Sequence, residues 1–465
     1  MSEIGVGGPG PGVRILDREI LSEPRPPAPG PRTTVAFATL GCKLNQNDTT
    51  ELQGMMEARG FRTVPFEDEA EIYVVNTCTV TGKADFSDRQ MIRRAVQRNP
   101  NALVVVTGCW AQTDPQAIAR MPGVDLIVGN QEKSRLVDLL DSLKKRVTPT
   151  VHVGDIGKAR HVPVFPLPRA LGRTRAFVKV QDGCQHRCAF CIVPFARGQS
   201  RSQLPDVVVD QVNELAEAGH LEVVLTGVDM GHYGWDLAPR SSFASLVARL
   251  ETIPKLTAIR LSSILPQYFT DELIALITHS EKICPHLHIP LQSGSDRVLR
   301  EMRRPYNTAM YRGLVERLAE AVPGLGLGAD LIVGFPGETD DEFEETCAFV
   351  EALPFTYLHV FSYSPRKGTE AAALPNPLPP RVIRERSLKL RSLGRLKNLA
   401  FRREYLGKEI ELLALDSRDK ETGLLIGLSG NYIELLFAGD DSLMQSVQRV
   451  RITAVSQERT FGELV

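Results

Sequence analysis

Two hydrophobic periods alternate along this chain from Thr33 onward. Short, continuous apolar runs at 35–40, 72–76 and 103–107 are separated by stretches, 48–59 and 88–98, in which apolar residues recur every three to four positions. The runs predict strands buried on both faces, and the spaced stretches predict amphipathic helices. Their alternation predicts an α/β unit with a parallel, doubly wound, Rossmann-like sheet. A second series begins near residue 174, with strands expected at 176–180, 223–226, 258–262, 287–289, 327–333 and 357–361 and helical stretches between them. Six β/α repeats in sequence predict an open, partial barrel.

Breaks in these patterns mark the borders. Residues 1–32 are crowded with Gly and Pro and have no apolar period, so a disordered tail is expected there. A linker is expected at 146–173, which carries Pro149, Pro163, Pro166 and Pro168. Beyond residue 404, alternating segments at 410–415, 432–437 and 447–455 are interrupted by Gly423, Gly427, Gly430 and Gly439, which predicts a small β-barrel of oligonucleotide-binding type. The expected domains are therefore 33–145, 174–403 and 404–465.

Composition narrows the function classes. At 465 residues, 43% hydrophobic and 24% charged, the chain has the make-up of a soluble protein with two or three cores. It contains neither an 18-residue apolar run nor a charged-then-apolar leader, so a cytoplasmic location without a membrane is expected. A net charge of −1 argues against a protein that coats polyanions, but a local basic surface is still allowed. One stretch, 381–408, carries ten Lys or Arg against Glu385 and Glu404 on a helical pattern and could touch phosphates.

Eight cysteines in so long a chain suit metal binding or chemistry better than a disulfide framework. Cys184, Cys188 and Cys191 form a C-x3-C-x2-C loop. Cubane clusters normally take four cysteines, so three thiolates would leave one iron open to a small molecule. The alternative is a structural zinc completed by His186. Cys42, Cys78 and Cys109 each follow a predicted strand by one to three residues, and ligands of doubly wound folds gather outside the carboxyl ends of strands. Their convergence would make a second metal site; otherwise they are small buried hydrophobes. Cys284 and Cys347 lack partners at ligand spacing and are expected to be structural.

With both triads in view, the chain resembles the radical S-adenosylmethionine methylthiotransferases, whose terminal barrel is called TRAM. The resemblance runs from Thr33 to the end. It is also carried by the segments at 226–234, 260–263, 288–296 and 329–338, all at or just past predicted strand ends. The run Gly41-Cys-Lys-Leu-Asn-Gln46 with Gln181-Asp-Gly-Cys184 is similar to the branch acting on threonylcarbamoyladenosine in tRNA. The isopentenyladenosine branch and the branch acting on a ribosomal protein differ after the first cysteine.

The resemblance implies a 4Fe-4S cluster on Cys184, Cys188 and Cys191 that binds S-adenosylmethionine, the source of both radical and methyl. It implies a second 4Fe-4S cluster on Cys42, Cys78 and Cys109 that delivers sulfur, with carbon 2 of the modified adenine as target. Asp229, Ser263, Gln292 and Ser293, polar residues at strand ends, are the candidates for holding S-adenosylmethionine. Phe190 could shield the cluster or stack on adenine. The implied partners are a tRNA anticodon loop, a one-electron donor such as a flavodoxin or ferredoxin system, and a sulfur donor; a monomer is expected. Both open irons must then face one pocket, with the Rossmann-like domain capping the barrel mouth.

Overall fold

The computed structural model describes residues 33–141, 144–145, 147–163, 165 and 174–465. Residues 1–32, expected as a disordered tail, lie outside these.

The amino-terminal unit is a six-stranded, wholly parallel sheet. Its order across the sheet is Arg62–Val64, Thr34–Thr39, Ile72–Thr77, Leu103–Gly108, Leu126–Val128, Thr150–His152. Every residue of Ile72–Thr77 is buried, as befits a strand covered by helices on both faces. One face packs Tyr73, Val75, Val104 and Val106 and the other Val35, Val74 and Val105, so the sheet divides two small cores. The last strand falls inside the stretch expected as a linker. Three residues directly after Pro149 are too short to show a period, and only pairing with Leu126–Val128 makes them a strand. The first helix, Lys43–Ala58, begins five residues before the expected position, with Cys42 as its extended N-terminal cap. Its first turns carry buried Asn45, Asn47 and Asp48, whose polarity conceals the helical period.

The second unit has the six expected strands as two three-stranded parallel sheets, Arg175–Lys179, Glu222–Thr226, Ala258–Leu261 and His286–His288, Gly326–Val333, Tyr357–Ser362. Parallel bridges between Ile259 and Ile283 and between Ser263 and His288 join them into one open barrel. A single large core of aliphatic and aromatic residues fills the space between these strands and their helices. Helix Pro380–Arg403 then leads to a closed five-stranded barrel, in order Glu409–Arg418, Leu425–Ser429, Glu434–Phe437, Thr460–Leu464, Val447–Val455. Among the described residues no helix is long and apolar enough to cross a membrane.

The small barrel is fastened beneath the large one by Arg260, which has no exposed surface. Its Nε and Nη2 donate to the Glu222 carboxylate at 2.9 and 3.0 Å, and Nη1 donates to the Gly430 carbonyl at 2.9 Å. Tyr432 lies over the same guanidinium and stacks on His286, with ring centroids 4.3 Å apart. Removing one partner of a buried pair leaves an uncompensated charge, whereas removing both is nearly neutral. Arg260→Met is therefore expected to destabilise the protein by about 3–5 kcal/mol, and adding Glu222→Leu should recover most of that loss. Urea unfolding of the single and double variants checks this.

Candidate active site

The cysteine loop leaves the first barrel strand at its carboxyl end. Gly183 has φ +78, and a Cβ there would lie 2.0 Å from the Gln199 carbonyl oxygen, so only glycine lets the chain turn beneath the loop. Backbone hydrogen bonds from Cys184 N to Gly198 O (3.0 Å), Ala189 N to Met302 O (3.1 Å) and Cys191 N to Cys188 O (3.0 Å) fix the three thiols on a folded loop. Cys184, Cys188 and Cys191 are each half-buried. Burial, reinforced by the neighbouring Cys188, pushes the Cys191 thiol up to about 11, and burial beside Asp229 raises Cys184 as well.

The second triad assembles where the sheet order reverses. Cys42 and Cys78 follow the adjacent strands Thr34–Thr39 and Ile72–Thr77, and Cys109 opens the helix after Leu103–Gly108. A ligand in such a fold sits at this switch point. Gly41 has φ +103, and a Cβ there would lie 2.7 Å from the Cys78 Cβ, so the two cysteine segments pack backbone against side chain. Burial, with the nearby Cys109 and Cys42, drives the Cys78 thiol up to about 12 and also raises Cys109.

Thiols gathered in threes, with Cys78, Cys109, Cys184 and Cys191 pushed up by burial, call for a cation that takes them as thiolates, and this donor set fits a positively charged metal core. The spacing discriminates between metals. Thiolates around one tetrahedral zinc stand about 3.8 Å apart, from a Zn–S bond of about 2.3 Å. Among the described residues the one group of three potential ligands whose atoms all lie within 4.8 Å is His288, Asp330 and His359, and neither cysteine triad closes that far. His186, the fourth ligand of the zinc alternative, points elsewhere, with Nε2 2.8 Å from the Tyr268 hydroxyl and 3.2 Å from Asp229.

One buried ion network joins the two sites. Arg197 donates through Nη1 to Asp182 (3.1 Å), two residues before Cys184, and through Nη2 to Asn45 Oδ1 (2.6 Å) and Asp48 (3.0 Å), just after Cys42. Asp48 also receives Lys133 at 2.6 Å and Lys179 at 2.8 Å. The network ties the two cysteine segments together beside a cavity of about 220 Å³, which is lined by Val80 and Thr81, shortly after Cys78 in the chain, by Phe190 and Cys191 of the barrel loop, and by Gln292, Asp330 and Phe361 of the bore.

The four polar candidates fare differently. Asp229 is buried with Oδ2 4.0 Å from the Cys184 sulfur, while its Oδ1 is enclosed and has no partner, as a carboxylate awaiting a cationic ligand would be. Gln292 lines the cavity in a left-handed conformation, φ 72. Ser263 is engaged at 2.6 Å with Nδ1 of His288. Ser293 is turned into the wall, where it contacts Thr346 and accepts from Ser295 N.

Several residues at the site gave no signal in sequence. Asp48, Lys179 and Arg197 are polar side chains in or beside predicted elements, and nothing local separates them from solvated positions; Asn45 and Asp330 fall in segments that carry the family resemblance, but nothing there singles them out. Lys43 reaches the bore, where burial and the neighbouring Arg175 and Arg260 lower its pKa to about 8. Asp330 faces His288 at 3.2 Å and His359 at 3.3 Å, and these hold its carboxyl low against the upward push of burial.

An open six-stranded barrel bearing a three-cysteine loop at its carboxyl-terminal mouth, capped by a doubly wound domain with its own three cysteines, defines a radical S-adenosylmethionine type of enzyme. Residues 178–350 match the Radical SAM superfamily, and residues 34–129 match Uncharacterized protein family UPF0004. The chain is 39% identical to the threonylcarbamoyladenosine tRNA methylthiotransferase MtaB of Bacillus subtilis (strain 168), across 93% of this chain and 96% of that one. It is 42% identical to the protein of the same name from Aquifex aeolicus (86% and 96%). It is 35% identical to the tRNA-2-methylthio-N(6)-dimethylallyladenosine synthase of Moorella thermoacetica (93% and 99%). The solved radical S-adenosylmethionine methyltransferase TsrM of Kitasatospora setae shares the fold at TM-score 0.51 and 17% identity, covering 71% of this chain and 73% of that one. The chain belongs to the MtaB-like radical S-adenosylmethionine methylthiotransferase family.

Burial alone would raise the Asp48 carboxyl, but Lys133, Lys179 and Arg197 together hold it well below the usual range. A carboxyl depressed by folding stabilises above its unfolded value of about 3.9, and that contribution is lost as pH falls below it. Asp48→Asn is therefore expected to lower stability by about 3–5 kcal/mol at pH 7, with the gap to the parent closing below about pH 4. Denaturant unfolding of both proteins across pH measures the gap.

Proposed function

We propose that the protein is a tRNA methylthiotransferase that places a methylthio group on carbon 2 of threonylcarbamoyladenosine beside the anticodon. The observation that carries this reading is the cavity lined by Phe190 and Cys191 of the barrel loop and by Val80 and Thr81 shortly after Cys78, which sets a substrate pocket against the first triad and beside the segment that carries the second. Identities of 39–42% to relatives named for threonylcarbamoyladenosine, against 35% to one named for dimethylallyladenosine, favour the first substrate.

The donor sets fit two 4Fe-4S clusters, on Cys184, Cys188 and Cys191 and on Cys42, Cys78 and Cys109. When bound with S-adenosylmethionine, the first supplies a radical able to take hydrogen from an aromatic carbon, chemistry that side chains lack. The chain's own residues bind and orient. Asp229, with one oxygen unpartnered, presents a negative charge beside Cys184 for the cationic end of S-adenosylmethionine. Gln292 supplies an amide at the cavity wall. Phe190 and Phe361 face the same cavity and offer rings on which a flipped-out base can stack.

The route to the cavity suits an anion. A larger cavity of about 930 Å³, lined among others by Lys83, Arg384 and Arg391, shares Ser362 and Tyr363 with the smaller one. A single-stranded anticodon loop can follow this cationic path while its base enters. Much of the basic helix serves the fold instead. Arg386 pairs with Glu338 and Asp340, Lys389 with Glu344 and Arg381 with Glu385, while Arg402 donates to Thr460 and Lys397 to the Glu351 carbonyl. The small barrel and the cations not so engaged remain for phosphates.

Reconstituted protein is expected to hold about eight irons. Cys188→Ala should abolish cleavage of S-adenosylmethionine, whereas Cys78→Ala should retain cleavage and lose the methylthio product. Mass spectrometry of tRNA nucleosides from cells with and without the gene identifies the product. A gain of the methylthio group on dimethylallyladenosine instead would overturn the substrate, and product formation by Cys78→Ala would overturn the two-cluster reading.

A further inference from the structure

The turn after helix Asp296–Glu301 carries a cation with no carboxylate. Arg303 N donates to Arg300 O and Arg304 N to Leu299 O, both at 2.9 Å, the hydrogen-bond pattern of a helix end closed by a left-handed residue. The left-handed residue is Arg303, φ 56, where glycine is usual, so the backbone is strained to make this turn. The strain has a local result. The turn receives Ala189 N on the Met302 carbonyl at 3.1 Å and so buttresses the cysteine loop, and it aims Arg304 back at the same loop.

The Arg304 guanidinium has three donor groups, and the protein supplies partners for two. Nε donates to the Tyr306 hydroxyl oxygen at 2.9 Å, and Nη1 donates to the Cys188 sulfur at 3.2 Å. Tyr306 is itself fixed, because its hydroxyl donates to the carbonyls of Pro290 and Leu291 at 2.8 and 3.0 Å. Nη2 is buried and unpartnered. Among the described residues no carboxylate lies within ion-pair distance of this guanidinium, unlike Arg197, Arg260 and Arg386, each of which has at least one. An enclosed guanidinium without a counter-ion is costly, so the compensating negative charge must come from the cysteines once a cluster holds them as thiolates.

We infer that Arg304 is a positioning residue of the radical-generating site, whose guanidinium is the counter-charge of the cluster on Cys184, Cys188 and Cys191 and raises its reduction potential through an N–H···S bond to Cys188. The inference rests on the cluster assignment made above. Hydrogen bonds to cluster sulfurs and local charge set such potentials, because a donor and a cation both favour the more negative, reduced state. Arg304 thereby eases the one-electron reduction on which cleavage of S-adenosylmethionine depends. The Tyr306 anchor makes the contact a fixed one: Leu291 precedes cavity-lining Gln292, so strand, tyrosine, arginine and cysteine form one chain of contacts.

The test uses full-length protein carrying Cys42→Ala, Cys78→Ala and Cys109→Ala, so that one cluster remains, with potentials read by EPR-monitored redox titration. Arg304→Gln is expected to keep about four irons and to shift the midpoint to more negative potential, with Arg304→Lys intermediate because charge remains and the planar fork is lost. With a reductant poised well above either midpoint, the reduced fraction and the initial cleavage rate should fall about tenfold for each ~59 mV of shift. Iron lost from Arg304→Gln but kept in Arg304→Lys would also support the charge role. An unchanged midpoint in Arg304→Gln with iron retained would overturn the inference, as would loss of iron from both variants, which would make Arg304 only a support of the loop. If the parent with Arg304 intact takes up no iron, the cluster assignment fails first, and that is seen before any arginine variant is made.

Discussion

The active site depends on charge buried between two domains. Lys133, Lys179, Arg197 and Arg201 meet Asp48, Glu51 and Asp182 where the first helix of the doubly wound unit lies against the first barrel strand. Removing these ions from water costs several kcal/mol each, so such a network adds little net stability over an apolar contact. It does fix register. Arg197 reaches Asp182 with one nitrogen and Asp48 with the other, and a shift of either domain would strand all of them without partners. The same residues sit two positions before Cys184 and six after Cys42, so the register they enforce is the distance between the two cysteine triads.

The thiols obey the opposite logic. Burial makes the ionised forms of Cys78, Cys109, Cys184 and Cys191 unfavourable in the bare protein, against the local pull of Arg197 on Cys109. A fold that satisfies its acids and bases so fully around Asp48, yet pushes four clustered thiols up by burial and encloses Asp229 Oδ1 and Arg304 Nη2 without partners beside them, has a site organised around groups it does not encode.

The basic helix shows how local sequence can mislead. Ten cations on one stretch resemble a phosphate-binding face, yet Arg386 and Arg402 are buried and several others hold acids or carbonyls of the barrel. A linear charge count cannot see a carboxylate forty residues away. The opposite error occurs at Lys43-Leu-Asn-Gln-Asn-Asp48, where a polar run conceals a buried helix because its partners, Thr77, Arg197, Lys133 and Lys179, come from four other segments.

The sequence by itself determined the strand and helix alternation, the open barrel and a small closing β-barrel, and it singled out six cysteines as candidates, because hydrophobic period and strand ends can be read from neighbouring residues. Tertiary structure alone decided that Val80 and Thr81, shortly after Cys78, line the same cavity as Cys191, and that Asp229 faces Cys184 while Ser293 faces the wall. It also decided that Arg304 points at Cys188 and that Thr150–His152 is a strand. Each of these depends on a partner distant in sequence, and an ion pair, a sheet edge or a hydrogen bond to sulfur exists only once the chain has brought both ends together.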